Sequence, residues 1–199
     1  MLSGGLYDAG DPELTAARAR ARALTEAFNT PGKPEAERRT LLRELLGGVG
    51  TVFCIEPPFR CDYGGNIFLG ERFYANYDCI FLDVARIDIG DDAFLAPRVC
   101  IYTAGHPLDA DVRNQGLEYG KPVRIGNSVW IGGNSILCPG VTVGDGTVIG
   151  AGSVVTKDIP GHVLAAGNPC RVLRPLTEAD RACWQALAAR YRAEDQSAQ

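Results

Sequence analysis

Two histidines occur in 199 residues, and His106 stands between Gly105 and Pro107. An imidazole can take a proton from a hydroxyl near neutral pH, and a positioned base of this kind contributes about 10²–10⁴-fold to a rate. The alternative is a solvent-exposed loop histidine. Acidic, amide and phenolic side chains gather in Asp62-Tyr63-Gly64-Gly65-Asn66, Tyr74-Ala75-Asn76 and Asp83. Such groups hydrogen-bond vicinal hydroxyls, as on a sugar, and they equally satisfy backbone groups at turns. Lys157, with Thr156 beside it, and Arg171 and Arg174 supply cations that could hold phosphate groups or form a solvated rim. No glycine-rich strand-to-helix phosphate loop is present, so a nucleotide-bearing ligand would bind by another route. Two histidines so far apart exclude a three-histidine zinc site, and no metal is expected. No serine or cysteine stands beside a base in the manner of an acyl-enzyme nucleophile.

These residues need elements to hold them, and an internal repeat supplies those elements. Ile125, Ile131, Leu137, Val143, Ile149 and Val155 recur every six residues, each followed by a small residue: Gly126, Gly132, Cys138, Gly144, Gly150, Thr156. Leu69, Ala75 and Phe81 fit the same template, as do Ile89, Leu95 and Ile101 after a two-residue slip. A hexad is a short strand plus a corner, and three hexads close a triangular coil with one aliphatic per hexad pointing inward. Small corner residues allow tight turning and close backbone approach. Each coil buries its core only against its neighbours. The pattern predicts a mainly β stack of roughly four to five coils between about residues 50 and 172. One long excursion, about 102–124, interrupts it and carries His106; long loops in regular solenoids are usually functional.

Helices flank the coils. Asp11 as N-cap and Pro12 at N1 open a helix that runs through Phe28. Asn29-Thr30-Pro31-Gly32 breaks it, and a second helix from about Pro34 to Leu46 ends at Gly47-Gly48, giving a helical hairpin. Thr177-Glu178-Ala179-Asp180 starts a C-terminal helix to about Ala193, expected to cap or flank the coil end.

Composition sets the limits. The formal charge of −4 argues against a nucleic-acid reader, which needs a basic face. No apolar run is long enough to span a bilayer, and Met1 to Pro12 lacks the features of a secretory signal. Seven cysteines without paired spacing read as reduced thiols, so a cytoplasmic location is expected.

Several motifs, in this order, resemble the maltose/galactoside O-acetyltransferase family: Phe59 to Ile67, Phe73-Tyr74-Ala75-Asn76, Gly105-His106-Pro107, Lys121-Pro122-Val123 and Asn127 to Gly132. Val154 to Pro160, Ala166 to Val172, and Gly5-Leu6-Tyr7 leading to Phe28-Asn29 extend the similarity, which spans about residues 4–176. The resemblance implies a left-handed parallel β-helix of hexapeptide repeats; the hand comes from the resemblance, since parallel crossovers are ordinarily right-handed. It implies an N-terminal segment of maltose-acetyltransferase type at 1–50, a catalytic β-helix at 51–176, and a helix and tail at 177–199. His106 falls on the family's general base, and Glu118 on a position beside it that could orient and stabilise an imidazolium. Asp62, Asn76, Asp83 and Tyr74 fall at or beside acceptor contacts, with relatives varying between Asp83 and Val84, and Trp130 lies near the active-site groove. Acetyl-CoA is the implied donor, held by Gly133, Ala151, Thr156, Lys157, Arg171 and Arg174; Gly133 replaces a serine found in some relatives. Sites between the subunits of a homotrimer are also implied. The resulting expectation is transfer of an acetyl group to a saccharide hydroxyl. A xenobiotic or serine acetyltransferase of the same coil class, or a non-catalytic scaffold, are the competing readings.

Overall fold

The hexad aliphatics from Ile125 to Val155 are each no more than 3% exposed, and each sits on a short strand. The computed structural model that gives this fold describes residues 1 and 3–197. Leu2 of the expected N-terminal segment and Ala198 and Gln199 of the expected tail lie outside the described residues.

A short strand β1 (Tyr7–Asp8) precedes two helices, α1 (Pro12–Asn29) and α2 (Glu35–Leu45). The Asp11 side chain caps α1 by accepting from Glu13 N at 2.8 Å. The first coil follows as β2 (Gly48–Val49), β3 (Phe53–Ile55) and β4 (Phe59–Cys61). The second is β5 (Ile67–Leu69), β6 (Phe73–Ala75) and β7 (Cys79–Leu82). The third is β8 (Ile87–Ile89), β9 (Phe94–Leu95) and β10 (Cys100–Tyr102). The excursion then forms β11 (Ala104–Gly105), a short helix α3 (Ala110–Arg113) and β12 (Leu117–Gly120). Coiling resumes with β13 (Val123–Ile125), β14 (Trp130–Ile131) and β15 (Ile136–Leu137), then β16 (Thr142–Val143), β17 (Val148–Ile149) and β18 (Val154–Val155). β19 (Val163–Ala166) begins a sixth turn, and β20 (Arg171–Pro175) doubles back antiparallel on it before α4 (Glu178–Ser197).

The strands stack in parallel into three faces. The first is β2-β5-β8-β13-β16, the second β3-β6-β9-β14-β17-β19, and the third β4-β7-β10-β15-β18. The solenoid thus has about six turns, more than the four to five expected. The first coil extends the template one turn further, with Val49, Ile55 and Cys61 in register with Leu69, Ala75 and Phe81, and with Phe53 and Phe59 where later hexads carry serine or threonine. Those positions (Ser135, Thr147, Ser153) are fully buried and hydrogen-bond backbone carbonyls: Ser135 to Gly150 O at 3.2 Å and Thr147 to Pro160 O at 2.7 Å. Gly132 shows why the residue after the aliphatic is small. A Cβ there would lie 2.5 Å from Ala151 N and 2.9 Å from Ile149 O, backbone of the next coil that cannot step aside.

The registers explain the two-residue slip. Val49 pairs with Leu69 and Leu69 with Ile89, whereas Ile125 pairs with Val143, so the earlier coils are two residues longer. In each of the longer coils the extra residues fall at one corner, between the third face and the first. The long excursion leaves from that same corner. At the corner between the first and second faces, by contrast, Arg72, Asp92, Ser128 and His162 repeat the same left-handed conformation.

The helical hairpin closes the first coil. Ala21, Phe28, Leu42 and Leu45 are buried, and Asn29 accepts from Phe59 N and donates to Phe59 O, both at 2.9 Å. That pair of bonds occupies strand groups that would otherwise form an exposed edge. α4 flanks the other end rather than covering it. None of its described side chains is buried, and Trp184 and Tyr191 are 71% and 70% exposed.

Candidate active site

The corner between the third and first faces gathers most of the chemistry. The Asp62–Asn66 loop leaves it in the first coil, Asp83 in the second, and the excursion with His106 and Glu118 in the third. Thr103, fully buried, ties the neck of the excursion: its hydroxyl donates to Leu82 O at 2.7 Å and accepts from Ala85 N at 2.8 Å. Lys121 N closes the neck on Thr103 O at 2.9 Å.

Within the excursion, β11 and β12 pair antiparallel, Gly105 opposite Tyr119. A Cβ on Gly105 would come within 2.5 Å of the Tyr119 ring, which would have to swing aside, so the glycine lets the ring pack flush against the strand. The next residue, His106, therefore faces Glu118 across the ladder. Its Nε2 lies 3.9 Å from Glu118 Oε1, an ion-pair distance for a protonated imidazole and too long for a hydrogen bond. The His106 side chain is 56% exposed and open to a substrate. On the far side of β12, β1 pairs with Tyr7 opposite Glu118, and the Tyr7 hydroxyl donates to Glu118 Oε2 at 2.7 Å. Burial and this carboxylate push the Tyr7 phenol well above the usual tyrosine range, so it stays a donor.

Asp62 borders the same group. Burial raises its carboxyl above the usual carboxylate range, Arg18 and Arg22 pull it back, and Glu118 adds to the rise. Arg18 also donates to Tyr63 Oη at 2.7 Å and to Ala9 O at 2.6 Å, joining α1 to both the Asp62–Asn66 loop and the segment after β1.

Asp83 takes a different place from the one expected. It is fully buried, and its carboxylate accepts from Asp62 N at 3.0 Å, Tyr63 N at 2.9 Å and Asn66 N at 3.3 Å. It shapes the loop that presents Asp62 and has no surface left for a direct acceptor contact. Burial lifts its carboxyl from 3.8 to about 7, with the Tyr63 and Asn66 N–H groups opposing the rise. Between those values the native protein keeps a proton that the unfolded chain has released, so the wild type loses stability as pH rises through this window. Asp83→Asn cannot accept from all three N–H groups and is expected to cost about 1–3 kcal/mol. Urea midpoints at pH 5 and pH 7.5 check both points: the gap between wild type and variant should narrow at the higher pH, and a widening gap would refute the assignment.

Tyr74, Asn76 and Trp130 are not brought to this corner. Tyr74 and Trp130 stack outward on the second face, with Phe94 between them in register. Phe94 and Trp130 are 50% and 55% exposed, and the Tyr74 and Phe94 ring centroids lie 6.1 Å apart. Asn76 sits at the corner between second and third faces, where its Oδ1 accepts from Tyr77 N at 2.8 Å. Within a chain, Tyr74 and Asn76 do not share a face with Asp62, because the coil puts its opposite side between them.

Gly133 and Ala151 stack at that second corner, where Gly152 N donates to Gly133 O at 2.8 Å. Cys170 N reaches Val154 O at 2.8 Å and brings Arg171 beside the same corner, while Thr156 and Lys157 end the strand that crosses the third face from it. These positions lie on the last coils, with the third face leading from them toward the His106 corner. Among the described residues, Lys157 and Arg171 are exposed and have no carboxylate partner, which suits a phosphate. Arg174 differs. It forms a bidentate pair with Asp180 at 2.7 and 2.8 Å, which pulls the Asp180 carboxyl well below its usual range. Its guanidinium is committed to anchoring the start of α4.

Tyr7, Arg18 and Thr103 are the site residues that sequence reasoning did not single out. Tyr7 appears in the Gly5-Leu6-Tyr7 piece, but no spacing announces its pairing with a residue 111 positions away.

Residues 1–50 match the maltose acetyltransferase hexapeptide capping motif, and residues 122–157 match the bacterial transferase hexapeptide (six repeats). The galactoside O-acetyltransferase of Escherichia coli strain K12 is 44% identical over 182 residues, covering 91% of this chain and 90% of the relative. The crystal structure of a maltose O-acetyltransferase from Clostridium difficile 630 superposes with a TM-score of 0.87 at 55% identity, covering 88% of this chain and 95% of that one. A hexapeptide-repeat-containing acetyltransferase from Vibrio cholerae O1 biovar eltor, crystallised with acetyl coenzyme A, gives a TM-score of 0.84 at 40% identity, covering 89% and 96%.

Proposed function

The chain belongs to the hexapeptide-repeat acetyltransferase family that contains the maltose and galactoside O-acetyltransferases, and we propose that it moves an acetyl group from acetyl-CoA to a hydroxyl of a saccharide. The observation that carries this reading is the corner where His106 faces Glu118 at 3.9 Å beside the loop presenting Asp62. The His106 imidazole takes the proton of the acceptor hydroxyl as that oxygen attacks the thioester carbonyl. The carbon–sulfur bond then breaks, and the leaving thiolate takes the proton back from the imidazolium. Glu118 stabilises the cation while it lasts. Asp62 contacts the acceptor, and Asp83 holds its loop.

The donor lies along the third face, with its pantetheine arm against Gly133 and Ala151 and its phosphates toward Thr156, Lys157 and Arg171. Because Asp180 already occupies Arg174, Arg171→Ala is expected to raise the KM for acetyl-CoA about tenfold or more, the loss of one charge-assisted hydrogen bond. Arg174→Ala should change that KM far less. Initial rates against acetyl-CoA concentration make the comparison, and equal effects would put Arg174 back among the phosphate contacts.

Trimeric assembly follows from the same reading. Tyr74, Asn76 and Trp130 lie across the coil from His106, so a neighbouring copy would bring them to it, and the exposed Tyr74-Phe94-Trp130 column is a surface suited to such packing. All seven cysteines are free thiols, which supports the cytoplasmic location proposed with this reading.

The test is mass detection of acetylated product from acetyl-CoA with maltose, glucose, galactosides, amino sugars, serine and chloramphenicol. A sugar product supports the reading. Transfer only to serine or chloramphenicol would move the enzyme to another acceptor class, and no transfer to any of them would overturn the saccharide proposal.

A further inference from the structure

One polar group at the site has no part in the transfer chemistry described above. The Tyr7 hydroxyl reaches out of the N-terminal segment and donates to the carboxylate whose other oxygen faces His106. Three residues are thereby aligned across one antiparallel ladder, Tyr7 opposite Glu118 by direct pairing and His106 one step beyond the Gly105–Tyr119 pair.

We propose that Tyr7 is a positioning residue of the acetyl transfer: its hydrogen bond to Glu118 Oε2 holds Oε1 turned toward the His106 imidazole. The inference rests on the reading of His106 as the base.

The hydroxyl is not needed to fasten the N-terminal segment. Backbone pairing of Tyr7 with Glu118 and of Asp8 with Leu117 does that, and Arg18 grips Ala9 O at 2.6 Å. A phenylalanine at this position would keep all of those bonds. What the oxygen adds is a fixed donor to one carboxylate oxygen. A glutamate has three side-chain torsions, and its charge must be placed where the imidazolium forms. The surroundings give Glu118 reason to turn elsewhere. Asp62, whose carboxyl the Glu118 charge pushes up, repels it from the neighbouring loop. Tyr63, the phenol on the Asp62–Asn66 loop, is occupied by Arg18. Among the described residues, Tyr7 is the one side chain that hydrogen-bonds this carboxylate, gripping Oε2 from the far side of β12 while Oε1 faces His106. On this view the capping segment at 1–50 completes the site as well as closing the first coil.

The experiment is a double-mutant cycle of Tyr7→Phe and Glu118→Gln, with turnover followed by product mass on whichever acceptor the wild type uses and His106→Ala alongside. Tyr7→Phe is expected to lower kcat about tenfold, the loss typical of a hydrogen bond to a charged group, with the KM for acetyl-CoA unchanged. In the Glu118→Gln background the same change should cost less than about twofold, because residues acting through one another are not additive. Full additivity, or a Tyr7→Phe enzyme with wild-type kcat, would overturn the proposal while leaving the base assignment intact. So would a Tyr7→Phe protein that fails to fold, since backbone pairing would then not suffice to seat the segment. If His106→Ala matches the wild type, the reading of the site itself fails, and Tyr7 with it.

Discussion

His106→Ala is expected to lower acetyl transfer by about 10²–10⁴-fold with little change in stability. The side chain is 56% exposed and stands just after β11 in the excursion, so its removal leaves every buried aliphatic of the coils in place. On the proposed reading the donor contacts lie on later coils than the excursion that carries His106, so the KM for acetyl-CoA should stay near the wild-type value. Product mass is the readout to choose, because seven cysteines give background with thiol reagents. Loss of turnover with retained coenzyme binding separates a missing base from a damaged fold. Equal turnover in variant and wild type would end the case for this histidine.

The second large effect concerns the stack itself. Phe81 is fully buried, pairs in register with Cys61 below and Ile101 above, and meets Phe59 edge to face at a centroid distance of 5.2 Å. Phe81→Ala is expected to cost about 3–5 kcal/mol, the transfer term plus the cavity left behind. In a solenoid each coil leans only on its neighbours, so a void in the second coil weakens its hold on the first and third together. Two residues later Asp83 binds the Asp62–Asn66 loop, and the third coil carries the excursion. Activity should therefore fall at temperatures where the variant is still mostly folded. The urea midpoint measures the cost, and a loss below about 1 kcal/mol would mean that the coils do not depend on this contact.

How much of this was legible beforehand differs from element to element. The hexads announce themselves because each short strand needs one inward aliphatic and one small residue after it, a requirement met within six consecutive residues. The N-terminal helices are equally local, with Asp11, Pro12 and the Asn29 to Gly32 break marking their limits. His106 was conspicuous because it sat in the one long interruption of a regular pattern. The first coil is less legible because Phe53 and Phe59 stand where the later hexads carry serine or threonine and Ile55 and Cys61 are followed by Glu56 and Asp62. The C-terminal helix was legible as a helix, but its packing was not.

The coil, the side each aliphatic faces, the place of the interruption and the candidate base can all be read from the residues in chain order. These are matters of backbone period and residue size, written into neighbouring positions. Folding in three dimensions puts every lengthened turn at one corner and buries Asp83 under the loop it shapes. It alone placed Tyr74, Asn76 and Trp130 across the coil from His106, and bound Arg174 to Asp180. It also brought Tyr7 to Glu118 over 111 positions of chain. Such meetings depend on where coils stack and which strand a loop captures, and geometry of that kind exists only once distant segments have been folded against each other.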